Sequence, residues 1–324
     1  MAPSLQKLFA GDPLARMVRR IGPNDQDEME ILGGLTMESS HADASTVDGG
    51  PFAVFDVPSG LETGFTHYLD GAQKARLAMY YGLVPISVAH TSAAILERDG
   101  RALKPPVDYR SDFAFFVPTV APIGDRLHDV LPVRVVPVDE DATSAQMHEA
   151  VMSQIGHVRE DQEDDLARSF EDGVLLVDGG IGKALGSERD ARSLVGLIKS
   201  HRRQYFRSAD RVEKILGMRP GQRTSLFYRE RDEPQGHMVA SFYLKLHEQT
   251  TGSPLFGLVR IEVPPTDRMI ARADEIAGWL MTERAPSSKP DARHDRLLYP
   301  IRLVEQHLKA RQPSEAAVQA LIGV

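Results

Sequence analysis

Two short apolar runs in this chain end in the same dipeptide. "HYLDG" delivers Asp70 and Gly71, and "LLVDGG" delivers Asp178 and Gly179. Two carboxylates at the carboxyl ends of neighbouring strands would point into one crevice. Alone they would repel, each raising the other's pKa. A divalent cation removes that cost, and two cations about 4 Å apart can stabilise both the attacking and the leaving oxygen of a phosphodiester displacement. The chain has no cysteine. Any such ion would be held by carboxylates and histidines, donors that suit Mn²⁺ or Mg²⁺. The glycine after each Asp lets the backbone turn sharply and a phosphate approach closely. Because Asp-Gly is also an ordinary turn, the pair counts only with further donors.

Those donors are sought on two helices. The segment "REDQEDDLARSF" offers Glu160, Asp161, Glu163, Asp164 and Asp165. At about 100° per residue, Glu160 lies almost opposite the apolar face and Glu163 on its flank. Glu163 is therefore the preferred ligand, with Glu160 in reserve. Near the C-terminus, "HDRLLYPIRLVEQHLKAR" places Tyr299 and His307 eight residues apart, about two helical turns. Pro300 suits a first turn, and a neutral His307 imidazole can ligate a metal. Leu297, Leu298, Ile301, Val304 and Leu308 form an apolar face expected to pack on the sheet.

A basic strip, "KSHRRQYFR", carries Lys199, Arg202, Arg203 and Arg207 with Tyr205 and Phe206 among them, and "MRPGQR" adds Arg219 and Arg223. It reads as a phosphate-tracking strip with aromatic surfaces for base stacking. The Gly-rich "DGGIGKALGS" is a decoy: it lacks P-loop spacing, and Ala184 stands where a Mg²⁺-binding hydroxyl belongs. There is no G-x-S-x-G elbow for a serine hydrolase.

The elements that must position these groups read as follows. Residues 3–34 predict short amphipathic helices, and 36–60, rich in Gly, Ser, Thr and Asp, a surface loop. Strands are expected at 64–69, 83–90, 92–97, 110–118 and 131–138, with a turn at 98–101 and prolines marking edges. Residues 143–170 predict a helix, opened by a Thr143/Gln146 capping box and burying Met147, Val151, Ile155, Val158, Leu166 and Phe170. "VLLV" at 174–177 reads as a strand buried on both faces, and "SLVGLIKS" as the next strand. A helix over 207–217, an antiparallel run over 224–263, a helix over 266–284, a loop at "SSKPDAR" and a long helix over 295–310 complete the reading. This order implies one α/β domain with a mixed sheet flanked by helices, with N-terminal helical and C-terminal additions. The expected division is 1–60, a helical segment and loop, then 61–324, a domain with a β insertion near 219–263.

The 324 residues suffice for a full core. A formal charge of −8 argues against whole-surface nucleic-acid binding but leaves room for a local basic channel. The N-terminus lacks the apolar region of a signal peptide, and no stretch is long enough to span a membrane. With no cysteine, the expectation is a cytoplasmic protein without membrane attachment.

The order "YLDG", "PISVAHTSAAILERDGR", a helix with a Glu, "LLVDGG", "LVGLIKS", "FGLVRIEV" and "YPIRLVEQH" resembles the NurA family of DNA-end-processing nucleases from about residue 64 to 310. The resemblance implies an RNase H-like fold and Mn²⁺-dependent (or Mg²⁺-dependent) exonuclease and single-strand endonuclease activity in DNA end resection and double-strand break repair. It also implies a homodimer, with DNA and a HerA-type hexameric ATPase as partners. The family's active site falls here on Asp70, Glu163, Asp178, Tyr299 and His307, with all but Tyr299 as metal ligands. This chain departs in reading Asp-Gly-Ala where the family has Asp-Gly-Ser, and in offering several helix acids. The competing reading is a non-catalytic RNase H-like module that docks DNA or an ATPase. An actin-like phosphotransferase would also place Asp-Gly at strand ends, but the second related half of that fold is not found.

Overall fold

The computed structural model describes residues 38–39, 44–47, 49–187, 190–201, 203–229, 238–250, 253–285 and 294–322. The helices expected over 3–34, the loop at 287–293 and Arg202 lie outside these. The elements in chain order are β1 (Glu38–Ser39), β2 (Val54–Asp56), β3 (His67–Tyr81), β4 (Val84–Asp99), β5 (Ala102–Pro118), α1 (Gly124–His128), β6 (Val133–Val136), α2 (Ser144–Ser169), β7 (Val174–Val177), β8 (Ser193–Ile198), β9 (Arg203–Gln204), α3 (Ala209–Leu216), β10 (Gln222–Thr224), β11 (Phe227–Arg229), β12 (Val239–Lys245), β13 (Leu258–Val263), α4 (Asp267–Ala271), α5 (Ala273–Glu283), a 3₁₀ turn (His294–Arg296), α6 (Tyr299–Lys309) and α7 (Glu315–Ile322). The class is mixed α/β, with parallel and antiparallel pairings and flanking helices. No described helix is long and apolar enough to cross a membrane.

The chain divides into two compact units, each discontinuous in sequence. The first comprises Met1–Phe65 and Asp172–Tyr299, the second Thr66–Glu171 and Pro300–Val324. The division falls at different places from the one expected near residue 60, because the last helices belong with strands more than 200 residues earlier.

In the second unit, β3, β4 and β5 form an antiparallel meander, and β6 pairs in parallel with the end of β5. Gly82 and Gly100 open the two tight turns with φ near +60°, a conformation that glycine adopts without steric cost. Helix α2 covers one face, where Val151, Ile155 and Val158 pack with Ala89, Ala114, Phe116 and Val136. Its capping box forms as expected: Thr143 accepts from the Gln146 N–H, and the Gln146 side chain accepts from that of Thr143. On the other face Ile86, Val88, Phe115 and Val117 cluster with Ala121, Ile123 and Val318.

Two expectations change here. The strands predicted at 83–90 and 92–97 are one strand, since Thr91 and Ser92 are buried within β4. The short strand ending in Asp70 is instead the 15-residue β3, with Asp70 its fourth residue. A full ladder to β4 holds the Asp-Gly step extended.

In the first unit the strand path is β2-β10-β12-β13-β8-β7, with β11 beside β12. Along this path β7 and β8 are parallel and the others pair antiparallel, while β1 and β9 form a separate parallel pair. The expected surface loop over 36–60 contains β2, which pairs with β10, and Phe52 joins a core of Tyr205, Phe206, Phe227, Tyr243 and Leu258. The apolar residues of "PFAVF" outweigh the polar composition around them. The helix expected over 266–284 is two helices, α4 and α5, broken at Arg272, with Thr266 capping the first. The last long helix is likewise shorter: Leu298 forms a β-bridge with Arg284 before α6 begins.

Candidate functional site

The β3–β4 register pairs Asp70 with Ala94 and Gly71 with Ala93. Side chains alternate along a strand. Gly71, Gln73 and Ala75 therefore face α2, while Asp70, Ala72, Lys74 and Arg76 face the opposite side. Asp70 is buried, and its Oδ1 accepts from the Gly71 N–H at 2.8 Å. On the α2 side, a Cβ at Gly71 would stand 1.8 Å from Glu163 Oε1. The missing side chain is what admits the Glu163 carboxylate to the strand. Glu163 is buried among the inward residues of α2 rather than on their flank, whereas Glu160 is exposed.

Arg159, one turn earlier, donates to Glu163 Oε1 at 2.5 Å, to Glu160 at 3.2 Å and to Gln73 at 3.3 Å. Burial works to lower the Arg159 pKa, but the carboxylates of Glu163, Glu160 and Asp70 outweigh it and raise the pKa. Asp70 and Glu163 thus lie on either side of one strand and share the field of one guanidinium.

The other second-unit candidate is His307 on α6. It is half-buried, and its Nε2 is shielded from solvent with no hydrogen-bond partner among the described residues. Burial, helped by the Arg311 charge, lowers its pKa, favouring the neutral imidazole that a metal requires. Tyr299 opens the same helix in the first unit, and its side chain is exposed.

In the first unit Asp178 follows the last residue of β7, as the sequence predicts. Parallel pairing of Val177 with Gly196 carries β7 and β8 to a common end. Lys199, just beyond β8, donates to Asp178 Oδ2 at 2.7 Å. The turn after Asp178 is tied down by Glu262 of β13, whose Cα partner is Gly196. Glu262 is fully buried. Its Oε2 accepts from the Ile181 N–H at 3.0 Å and its Oε1 from Arg260 at 2.7 Å. A Cβ at Gly196 would lie 2.7 Å from the Gly179 carbonyl oxygen, so glycine is needed for this close approach. Sequence reasoning passed over Glu262. The signal was present: Arg and Glu two apart inside an apolar strand must both find partners if the strand is buried.

The basic strip is altered more substantially. Lys199 is engaged by Asp178. Arg203 lies in β9 and Arg207 is exposed. Tyr205 and Phe206 are not stacking surfaces: both are buried, packed on Phe227 at ring distances of 5.5 and 4.9 Å. Arg223 is likewise buried, with Asp274 at 2.5 Å. The aromatics of the strip build the core of the first unit, and only part of its charge remains at the surface.

Hard carboxylate oxygens at Asp70, Glu163 and Asp178 and an unpartnered imidazole nitrogen at His307 are chemically suited to Mn²⁺ or Mg²⁺. Asp70 and Glu163 lie on opposite faces of β3 beside Gly71 in the second unit, and Asp178 pairs with Lys199 in the first. Among the described residues no three His, Asp or Glu side chains are grouped as a metal cage. No family model and no curated protein matches the chain.

Proposed function

We propose that this chain is a metal-dependent deoxyribonuclease of RNase H-like fold that acts on DNA ends. The observation that carries the reading is the burial of two carboxylates at one strand step, Asp70 and Glu163, on either side of β3 at Gly71. Burying carboxylates is costly, and such groups concentrate where chemistry needs them. The element order also supports it: three antiparallel strands, a long helix, then two parallel strands. Asp70, Glu163, Asp178 and His307 are assigned as the residues that would hold Mn²⁺ or Mg²⁺. Bound there, the ion would supply an activated water and neutralise the phosphate charge. Glu262 and Lys199 hold the Asp178 turn, Tyr299 offers a phenol to position a phosphate, and Arg202, Arg203 and Arg207 bind backbone phosphates. A homodimer and a HerA-type ATPase are the assigned partners. The exposed β3–β4 hairpin tip, with Tyr80, Tyr81 and Leu83, offers apolar surface of the kind that interfaces use.

One observation favours the non-catalytic docking module instead. Arg159 on Glu163 and Lys199 on Asp178 each place a positive group where a cation would sit. Incubating linear DNA with the purified chain in Mn²⁺, Mg²⁺ or EDTA separates the two readings. The nuclease degrades DNA only with metal, and the docking module binds DNA without cutting it.

A further inference from the structure

We infer that the second unit carries a phosphomonoester site, distinct from the metal ligands, in the cavity between α7 and the sheet face opposite α2. The cavity measures about 220 Å³ and is lined by Lys74, Arg76, His90, Phe113, Glu315 and Val318 among others. Its floor follows from strand register: Lys74 pairs with His90, His90 with Phe113, and Arg76 with Val88. By alternation these residues share one face. Two permanent cations and an imidazole therefore meet a single carboxylate, that of Glu315.

His90 is buried, and its Nδ1 has no hydrogen-bond partner among the described residues. A buried polar atom of this kind calls for a ligand atom or a water. The acid whose charge acts on His90, Asp112, is engaged by Arg134 at 2.5 Å.

Glu315 contacts Arg76 directly and lies 4.0 Å from Lys74, while Lys74 also donates to the Pro313 carbonyl at 3.1 Å. The Glu315 side chain is 57% exposed, and exposed ion pairs contribute little net stability. Its carboxylate occupies the place of an anionic ligand. A phosphate dianion offers more charge and fits the forked guanidinium better than one carboxylate does. Val88, Phe113 and Val318 form an apolar wall beside the cations. The ligand class is thus a phosphate monoester on an apolar or aromatic body, for which a nucleoside monophosphate is size-matched.

The test is calorimetric titration of the full chain in EDTA, where metal-dependent cleavage is silent. Deoxyadenosine 5′-monophosphate should bind, and deoxyadenosine should bind about tenfold more weakly or worse, as expected for loss of charge-assisted bonds. The double variant Lys74→Gln/Arg76→Gln should lose that preference. Glu315→Gln should tighten binding several-fold, by removing the internal competitor. Thermal melts confirm that each variant is folded, and Glu315→Gln serves alone if the double variant is not. Equal affinity for nucleotide and nucleoside, no binding of the nucleotide, or an unchanged affinity in Glu315→Gln would overturn the site. None of these results bears on cleavage with Mn²⁺, so failure here leaves the nuclease reading to its own test.

Discussion

Asp178 and Glu262 show how differently two acids of one unit can be written in sequence. Asp178 was legible because four apolar residues and a glycine bracket it, and the strand does end there. Glu262 was not, because a single acid in "LVRIEV" resembles the outward residue of a half-exposed strand, whereas every residue of β13 is buried. Its partners are the Ile181 N–H and Arg260, the latter also buried. Glu262→Ala should therefore cost about 3–5 kcal/mol, since it leaves a buried guanidinium without its counter-charge. Glu262→Gln should cost less, because it keeps an acceptor for Ile181. Urea unfolding of the two variants checks this, and equal, small losses would show that Glu262 does not hold the turn.

Helix α2 was the most readable element, because its apolar residues recur at helical spacing and its capping box is complete. Strand β3 was the least. Past Gly71 its residues "AQKARLAMYY" show no clean alternation, since one side meets α2 and the other carries the charges of the α7 cavity. Length and register there come from the ladder to β4, which local sequence does not encode. The same ladder explains why Asp70, expected at a strand end, sits inside a strand. The point where α2 meets β3 is Gly71. Gly71→Ala forces the Glu163 carboxylate away and should cost about 1–3 kcal/mol through overpacking. In a Glu163→Ala background the same change should cost much less. A double-mutant cycle by chemical denaturation reads the difference, and additive losses would deny the contact.

At the scale of the molecule, the largest acid-sensitive contributions come from two groups in the first unit. Burial lowers the His201 pKa from 6.5 to about 4, against the opposing hydrogen bond with the Leu258 carbonyl oxygen. The unfolded chain then binds a proton that the folded one refuses. The stability from neutral His201 is complete above pH 6.5 and is lost as pH falls toward 4, up to about 3 kcal/mol. Hydrogen bonds from Arg192 hold Asp190 down at about 2 from 3.8, so its contribution disappears later, between those values. Melting temperature against pH should fall in two stages, beginning below 6.5, and His201→Gln should shrink the first, leaving the smaller share of His90 and His307, whose pKa values burial also lowers. An unchanged first stage in that variant would assign it to other groups. The two-unit organisation itself was not visible in the sequence, because no composition break marks residues 65, 171 or 299 and the contacts that define the units are long-range. The nuclease reading asks that Asp70 and Asp178 each be indispensable to a single activity. The most direct measurement is Mn²⁺-dependent degradation of linear DNA by the purified wild type, Asp70→Asn and Asp178→Asn. Each substitution nearly preserves shape while removing the ligand charge. Activity should be lost in both variants with thermal unfolding little changed, whereas full cleavage by either variant, or cleavage by the wild type in EDTA, would contradict the reading.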